Sequence, residues 1–479
     1  MSVRLAAVSS SGIAVHDLIT TVDSRPGHRP AHRKPVQVSV RGKGLWTLLV
    51  LNAIAATALF LVGGGAGDLT VSGGLMTALG RVSGLYGALG LALQLVLIAR
   101  VPWLERRLGM DRLTVWHRWS GVGVLWLLVA HVVFATLGSA ASHRNSVLSE
   151  AEILLFDVPD VLQAAAAMVL LVVVAASSAR AARRRMRYET WHFVHLCAYL
   201  AVILGFFHQV AIGRDFVDAP LARLYWWCLY GGALGAVLVF RLGLPLGRGV
   251  RHGLRVHAVV PEGPGVSVYV SGRRLDRLPA RAGQFFLWRF LTRDHWWQAH
   301  PYSLSAMPDG ATLRITVKAL GDASAAVRRI RPGTRVLAEG PYGAFTSKVR
   351  IRRSVLLIGG GIGVTPIRAL LEELTRTRED IVVIYRVHHL RDAVLLAEMQ
   401  QLTHDHDAVL HVVTGPSTTT RSDGPILGPQ HLAALVPGIA HRDVYLCGPP
   451  GMTTSVLRAL AALGVPATQC HTERFAFAT

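Results

Sequence analysis

Two stretches of the sequence decide the fold: WHRWSGVGVLWLLVAHVVF at residues 116–134 and WHFVHLCAYLAVILGFFHQ at residues 191–209. Each is apolar and long enough to cross a bilayer as a helix, and each carries one histidine near its start and one near its end. These histidines are His117 and His131 in the first stretch, and His195 and His208 in the second. At about 1.5 Å per residue, the two histidines of one helix lie roughly 20 Å apart. They cannot share one metal ion, because metal–nitrogen bonds are only about 2 Å long.

Pairing between the two helices is the alternative. If the helices run parallel, His117 faces His195 at one depth and His131 faces His208 at another. Two such sites suit two b-type haems, each with two axial imidazoles. A spacing of 14 residues returns a side chain to within about 40° of its face, whereas 13 leaves it about 140° away, so the second helix needs distortion or tilt. Any one of these residues could instead be a satisfied core histidine, and His192 competes with His195, but four ionisable residues inside spans favour ligation.

The charge of the chain constrains its partners. The formal net charge is +21 over 479 residues, which by itself suggests a nucleic-acid partner. The placement of the charge argues against that partner, because many arginines cluster beside the apolar segments, where positive charge fixes membrane topology. We therefore expect a lipid bilayer and no nucleic acid. The four cysteines include no CxxC pair and indicate no disulfide framework.

Six apolar segments are the predicted membrane spans. They cover about 45–62, 79–98, 115–137, 160–176, 190–212 and 221–240. The loops 100–114 and 179–190 are rich in arginine, whereas the connections 63–78 and 138–159 hold Arg144 as their one Lys or Arg. The positive-inside rule then predicts a multi-pass protein of the cell membrane with both termini cytoplasmic and with spans three and five parallel. The basic residues 1–44 lack a signal-peptide pattern and are predicted to be a disordered cytoplasmic tail.

The second half of the sequence changes pattern twice. From about residue 251, short alternating runs such as VSVYV and QFFLWRF are separated by Gly and Pro, which predicts a small antiparallel β-barrel. From residue 354, the strands SVLLIG, DIVVIYRV, AVLHVVTG and RDVYLCG alternate with helical stretches, which predicts a doubly wound parallel α/β sheet. The expected fold is therefore an all-α six-helix membrane bundle followed by these two domains.

Two loops of the α/β region carry chemistry. The run LLIGGGIGVTPIRALL follows a strand and opens a helix, so its glycines let the backbone approach a pyrophosphate at a helix N-terminus. The run CGPPGM follows the fourth strand and opens another helix. Ligands of open α/β sheets bind at the carboxyl ends of the strands, so both loops are expected to line one crevice.

Five motifs together identify a resemblance. HPYSLS, ITVKALGDAS, EGPYGAF, GGGIGVTP and CGPPGM occur in the order seen in the ferredoxin–NADP reductase superfamily. Taken singly, the HPYSLS segment could be an edge strand and the others ordinary turns. Preceded by a six-span region with paired histidines, the chain over residues 45 to 479 is similar to the ferric reductases and NADPH oxidases.

That resemblance implies the domains and the site residues. The domains would be a tail at 1–44, a di-haem membrane domain at 45–245, an FAD-binding barrel at 250–348 and an NAD(P)-binding domain at 350–479. FAD would contact His300, Pro301, Tyr302, Ser303, Lys318, Gly321 and Ser324. The nicotinamide dinucleotide would contact Gly359, Gly360, Gly361, Gly363, Thr365, Pro366, Arg386, Cys447, Gly448 and Pro449. Catalytic roles would fall to Cys447, Glu473 and Ser303, and Phe475 or Phe477 would cover the flavin.

The resemblance also implies an activity. Cytoplasmic NAD(P)H would reduce FAD, and two haems would pass electrons to a ferric chelate or dioxygen at the outer face. His143 and Arg144 in an outer loop could attract an anionic chelate, although a merely solvated loop is the favoured reading. A different reading is a membrane subunit that supplies electrons to a separate protein partner.

NADPH is the preferred nucleotide on sequence grounds, with NADH as the alternative. Arg386 ends the second strand of the nucleotide domain, where an acidic residue would suit a free 2′-hydroxyl and arginine suits a 2′-phosphate.

We expect Arg386→Ala to raise KM several-fold more for NADPH than for NADH in steady-state assays. An equal rise for both nucleotides would contradict this assignment.

Overall fold

The computed structural model describes most of the chain after the basic tail. Its described residues are 43–65, 67–70, 72–186, 188–213, 219–293, 296–319, 322–376, 380–416, 420–421 and 424–473. The tail predicted to be disordered lies almost entirely outside this part. The described residues form two compact units that meet in the chain between Gly243 and Leu244.

The first unit is helical. Its helices are α1 (Lys43–Phe60), α2 (Gly74–Ile98), α3 (Pro102–Leu108), α4 (Met110–His143), α5 (Val147–Phe156), α6 (Val161–Ser178), α7 (Arg180–Arg185), α8 (Tyr188–Ile212) and α9 (Pro220–Ala236). A π-helical segment, Val237–Gly243, continues α9. Six segments of the described chain are long and apolar enough to cross a membrane. The predicted six-span bundle is thereby confirmed.

Glycine brings α2 against α4. A Cβ placed on Gly80 would lie 2.8 Å from the Ala135 nitrogen, and one on Gly87 would lie 2.7 Å from Leu128 Cδ2. No larger residue fits these positions without a shift. Small residues let membrane helices approach closely, because helix association in lipid depends on van der Waals packing rather than on a hydrophobic driving force.

The barrel domain follows a short helix, α10 (Leu244–His252). Its strands are β1 (Arg255–Glu262), β2 (Gly265–Ser271), β3 (Phe285–Phe290), β4 (His300–Ser303), β5 (Thr312–Lys318) and β6 (Val336–Tyr342), with a short helix α11 (Asp322–Ala326) after β5. They form two antiparallel sheets of order β1-β2-β5 and β4-β3-β6. Bridges from Arg255 to Arg335 and from Leu304 to Ile315 join the sheet edges, giving the six strands the ring order of a barrel.

The nucleotide domain has the predicted parallel sheet. Its strands are β7 (Val355–Gly360), β8 (Ile381–Arg386), β9 (Val409–Val413), β12 (Asp443–Cys447) and β13 (Cys470–Glu473), in the order β13-β12-β7-β8-β9, and all are parallel. The two-residue strands β10 (Thr420–Arg421) and β11 (Gly424–Pro425) form a separate hairpin. The helices are α12 (Val364–Thr375), α13 (Leu396–Asp405), α14 (Pro429–Leu435) and α15 (Pro450–Ala462).

Several elements were not predicted, among them the short helices α3, α7 and α11. The connection 138–159 contains the helix α5, and α10 precedes the barrel. Strand β13, with sequence CHTE, lacks the apolar alternation that reveals strands, and it forms by pairing with β12.

Candidate functional site

The four predicted membrane histidines meet in two pairs. The ring centres of His117 and His195 are 6.0 Å apart with an interplanar angle of 66°. Those of His131 and His208 are 6.4 Å apart at 65°. The two pairs therefore have nearly the same geometry, and α4 and α8 run parallel. The 13-residue spacing is accommodated within the single helix α8.

These separations match the demands of a haem iron. Two iron–nitrogen bonds of about 2 Å, with about 1.1 Å from each nitrogen to its ring centre, place the ring centres of a bis-histidine site about 6.2 Å apart. Stacked or hydrogen-bonded imidazoles would approach more closely than that. The Nδ1 atoms of His117 and His208 are buried, and neither makes a well-formed hydrogen bond to the described residues. The residues present thus fit two b-type haems.

The surrounding helices orient the rings. Nδ1 of His131 lies 2.8 Å from the Gly80 carbonyl oxygen, an acceptor, so Nδ1 carries the proton and Nε2 keeps a lone pair for a metal. Gly84, one turn further along α2, makes room for that ring: a Cβ there would lie 2.7 Å from His131 Nδ1. Nδ1 of His195 lies 3.3 Å from Ser178 Oγ.

One charged residue beside the His117–His195 pair was missed by sequence reasoning. Arg241 lies in the π-helical segment and donates from Nη1 to the Ile98 carbonyl at 3.1 Å. Its charge is close enough to act on both His117 and His195. Because Arg241 directly follows the predicted span 221–240, its position resembled that of a topology-fixing charge.

A second missed residue lies outside the spans, at the corner between α4 and α5. Glu150 is fully buried and accepts hydrogen bonds from Ser139 Oγ at 2.5 Å, Asn145 Nδ2 at 2.7 Å and His143 Nδ1 at 2.8 Å. These bonds, that of Ser139 first, lower the pKa of Glu150 to about 2. His143 is therefore attached to a buried carboxylate, while Arg144 follows it with a left-handed backbone.

In the nucleotide domain, the two predicted loops converge at one sheet edge. Cys447 is in register with Gly359 on the neighbouring strand. A Cβ on Gly448 would lie 3.2 Å from the Gly360 Cα, and one on Gly363 would overlap the Cys447 carbonyl group. These glycines are required because the two loops touch through their backbones. Gly361 adopts a φ of 55°, which favours glycine.

The helix that opens after the glycine loop begins with the predicted Thr365 and Pro366. Both are buried, and Thr365 Oγ1 donates to the Ile362 carbonyl at 3.0 Å. On the facing loop, the Pro449 carbonyl accepts from the Thr453 nitrogen at 3.0 Å. The loops that we assign to the dinucleotide are thus anchored by their own helices.

Cys447 and Glu473 are neighbours at this edge. They are in register between β12 and β13. Cys447 is fully buried; burial first, and the Glu473 carboxylate second, raise the pKa of its thiol well above the ordinary value. It is a neutral thiol at physiological pH. A Cβ on Gly343 would lie 3.1 Å from Glu473 Oε2, so this carboxylate also reaches the barrel segment EGPYG.

The HPYS segment forms β4 and pairs with β3. Ser303 Oγ is buried with no hydrogen-bond partner among the described residues, which leaves a donor for a ligand such as a flavin. The rings of His300 and Tyr302 are 6.1 Å apart at an angle of 30°. Burial raises the pKa of Tyr302 to about 12, so its hydroxyl stays protonated. Pro301 lies between them, paired with Leu287.

Two other residues predicted to bind the cofactors contact protein groups in the structure. Lys318 Nζ lies 3.5 Å from Asp392 Oδ1 and donates to the Asp392 carbonyl at 3.3 Å. Arg386 is buried and donates to the carbonyls of Val387 and Gly415, so it anchors the loop after β9. Ser324 lies in α11. The predicted residues Gly321, Phe475 and Phe477 lie outside the described part of the chain.

Comparison with known proteins agrees with this arrangement. The family model described as "Ferric reductase like transmembrane component" matches residues 83–206, the FAD-binding domain model matches 257–346, and the oxidoreductase NAD-binding domain model matches 357–458. A flavohemoprotein of Xylella fastidiosa is 30% identical over 207 residues, which are 41% of this chain and 51% of that protein. An NADPH oxidoreductase of Mycobacterium tuberculosis is 27% identical over 189 residues, 38% of this chain and 48% of that protein. The chain spans about half the length of these relatives.

Among solved structures, the flavohem-like FAD/NAD binding domain of nitric oxide dioxygenase from Vibrio cholerae is 24% identical. It covers 46% of this chain and 97% of its own, with a TM-score of 0.40. The matched models and the described fold place a ferric-reductase-like membrane domain before an FAD-binding domain and an oxidoreductase NAD-binding domain. More specifically, the chain has a ferric reductase/NADPH oxidase-like architecture, as its motifs predicted.

The contact between Gly84 and His131 can be tested. We expect Gly84→Ala to displace the imidazole, at an overpacking cost of about 1–3 kcal/mol, and to perturb or remove one haem of two while FAD content is unchanged. Pyridine haemochrome analysis and absorption spectra measure the outcome. Gly231→Ala is the matched control, because a Cβ there meets nothing within 4 Å. Two haems with unchanged spectra in the Gly84 variant would contradict the contact.

The buried thiol gives a second test. We expect Cys447→Ala to slow flavin reduction by NADPH about tenfold, equal to a barrier rise of about 1.4 kcal/mol, because a gap opens beside the expected nicotinamide position. FAD should stay bound. Cys470→Ala, at the opposite end of the adjacent strand, should leave the rate unchanged. Stopped-flow absorbance provides the measurement, and equal rates in all three proteins would reduce Cys447 to a packing role.

Proposed function

We propose that this protein carries electrons from cytoplasmic NAD(P)H, through FAD and two b-type haems, to an acceptor at the outer face of the cell membrane. The observation that carries the proposal is the pair of imidazole pairs, 6.0 and 6.4 Å between ring centres, in a chain that also has FAD-binding and NAD-binding domains. FAD when bound would accept a hydride and release electrons singly, and each haem iron would carry one electron.

The residues of the cytoplasmic unit would bind and orient the two redox partners. The glycine loop offers backbone nitrogens to the dinucleotide pyrophosphate at the N-terminus of α12. The neutral thiol of Cys447 provides an uncharged surface beside the nicotinamide, and Ser303 Oγ donates a hydrogen bond to the flavin. Glu473 would supply a carboxylate beside both binding segments, since it neighbours Cys447 and reaches Gly343.

The residues of the membrane unit would bind the haems and set their depths. His117 and His195 hold the inner haem, and His131 and His208 the outer one. Arg241 supplies a positive charge that suits a haem carboxylate at the inner site. Both termini face the cytoplasm in this proposal, because the arginine-rich segments around α3 and α7 precede the two histidine-bearing spans.

The acceptor is proposed as ferric chelate or dioxygen. The second candidate function is an electron-supplying subunit for a separate redox protein. Purified protein in lipid vesicles, assayed with NADPH against ferric citrate, oxygen and no acceptor, separates these functions. Rapid turnover with one acceptor identifies it, whereas flavin reduction without turnover favours the subunit.

Loss of either ligand of the outer haem should affect reactions on the two sides of the membrane differently. We expect His131→Leu or His208→Leu to lose or perturb one haem of two and to abolish reduction of an extracellular acceptor. Leucine keeps the span apolar, so insertion survives while one axial bond is lost. NADPH should still reduce the flavin and a soluble dye, because those steps use the cytoplasmic unit. Haem content and sided assays in vesicles are the measurements.

His192→Leu is the matched control for these variants. It removes an imidazole from the same span as His208 but outside both pairs, so both haems and full transmembrane activity should remain. If His208→Leu protein kept both haems, unchanged spectra and full activity, the pairing would be wrong.

A further inference from the structure

We propose that Arg314, Arg368, Glu372 and Glu398 form an ionic clamp between the barrel and the nucleotide domain, and that these positioning residues set the distance over which hydride passes. The inference rests on the proposed function, because it assigns positioning residues to the proposed step from nicotinamide to flavin.

The centre of the clamp is a two-point contact between domains. Arg314 on β5 donates from Nη1 and Nη2 to the two carboxylate oxygens of Glu398 on α13, at 2.7 and 2.8 Å. Such bidentate pairs fix orientation as well as distance. Nε of Arg368, on α12, lies 2.8 Å from Glu398 Oε2, so this carboxylate has a guanidinium from each domain.

A second carboxylate repeats the bridge. Glu372 on α12 forms an ion pair with Arg368, one turn before it. Its Oε2 also accepts a hydrogen bond from the Met307 nitrogen of the barrel at 2.8 Å. Glu372 and Glu398 therefore both contact the barrel, and both pair with Arg368.

On the barrel side, the clamp is attached to the strand that we assign to the flavin. Arg314 donates to the Ser305 carbonyl at 2.7 Å and to Ser305 Oγ at 3.2 Å. Ser305 lies two residues beyond Ser303, the end of β4. Thr316 Oγ1 donates to Ser305 Oγ at 2.8 Å and is itself 2.9 Å from Ser267 Oγ, so residues of β5 and β2 hold this segment.

On the other side, the clamp is attached to the helix that we assign to the dinucleotide. Arg368 lies in the second turn of α12, which begins at Val364 immediately after the glycine loop. A continuous set of polar contacts thus runs from the end of β4, through Ser305, Arg314, Glu398 and Arg368, to the helix below the dinucleotide loop. A shift in any contact would move the two binding segments relative to each other.

The energetics favour a geometric role over a stabilising one. The side chains of Arg314 and Arg368 are only 6% and 10% exposed, and the two arginines are balanced by two glutamates. Buried ion pairs contribute little net stability, because desolvation opposes the attraction, but they select one arrangement. Although burial acts against it, hydrogen bonding to Arg314 and the charges of both arginines lower the pKa of Glu398. Glu398 is therefore ionised at neutral pH.

The test uses the full chain in detergent or lipid vesicles and the variant Glu398→Gln. At saturating NADPH we expect the rate of flavin reduction to fall about 10- to 100-fold, the effect expected of a misplacement near 1 Å. FAD content and the Kd for NADPH should stay within about twofold of the parent protein, because neither binding segment is altered. Asp380→Asn is the matched control: Asp380 pairs with Arg442 at 2.7 Å inside the nucleotide domain, and its loss should change nothing.

A second variant and a measurement of hydrogen–deuterium exchange complete the test. Glu372→Gln weakens the contacts of Glu372 with Arg368 and the Met307 nitrogen, and it should act in the same direction if the Glu398 variant loses its FAD. Hydrogen–deuterium exchange of segments 304–318 and 387–399 should speed up in both variants and not in the control. This readout needs no turnover, so it stands even if the protein proves not to be an NADPH-dependent reductase. Parent-like exchange, or parent-like rates in both variants, would overturn the clamp.

Discussion

The distance between paired imidazoles, which matches that of a bis-histidine iron site, constrains the membrane unit. The separation recurs at two depths, 6.0 and 6.4 Å between ring centres, so α4 and α8 have to run parallel and remain in matching register. Parallel neighbours in a membrane require an intervening span, which α6 provides. The lipid core offers no water to the backbone, so each of these segments is a continuous helix.

The requirement for oriented imidazoles extends to α2. The Gly80 carbonyl accepts a hydrogen bond from His131 Nδ1. The two groups come within hydrogen-bonding distance because glycines on α2 let this helix lie directly against α4. The same close approach excludes larger side chains at Gly84. A packing detail that looks like ordinary membrane-helix association therefore determines which nitrogen of His131 is free to bind a metal.

The second unit meets a different constraint, since FAD and the nicotinamide dinucleotide have separate binding domains in it. Each domain provides a preformed edge: β4 with the buried Ser303 hydroxyl, and the β7–β12 edge where two loops touch through glycine backbones. Neither edge sets the distance to the other. That distance depends on the interface, where Ala282 and Phe345 of the barrel pack into the apolar core of the nucleotide domain. In our proposal, the ion pairs of Arg314 and Arg368 with Glu398 select one arrangement of this interface.

The sequence by itself determined the local and periodic features. Hydropathy revealed six spans, the matching histidine spacing of two spans revealed the pairing, and glycine-rich turns after apolar strands revealed the nucleotide edge, because each of these features is a local or periodic pattern of residues. Contacts that no such pattern marks were decided only by the tertiary structure. Arg386 is predicted to suit a 2′-phosphate, and the structure adds that its side chain is buried and donates to a carbonyl 29 residues away. Arg314 and Glu398, 84 residues apart, give no sign of each other in sequence. Strand β13 likewise exists only because β12 offers it an edge. Local sequence sets which groups are available, whereas the folded chain sets which of them meet, since long-range pairing depends on the packing of all intervening elements.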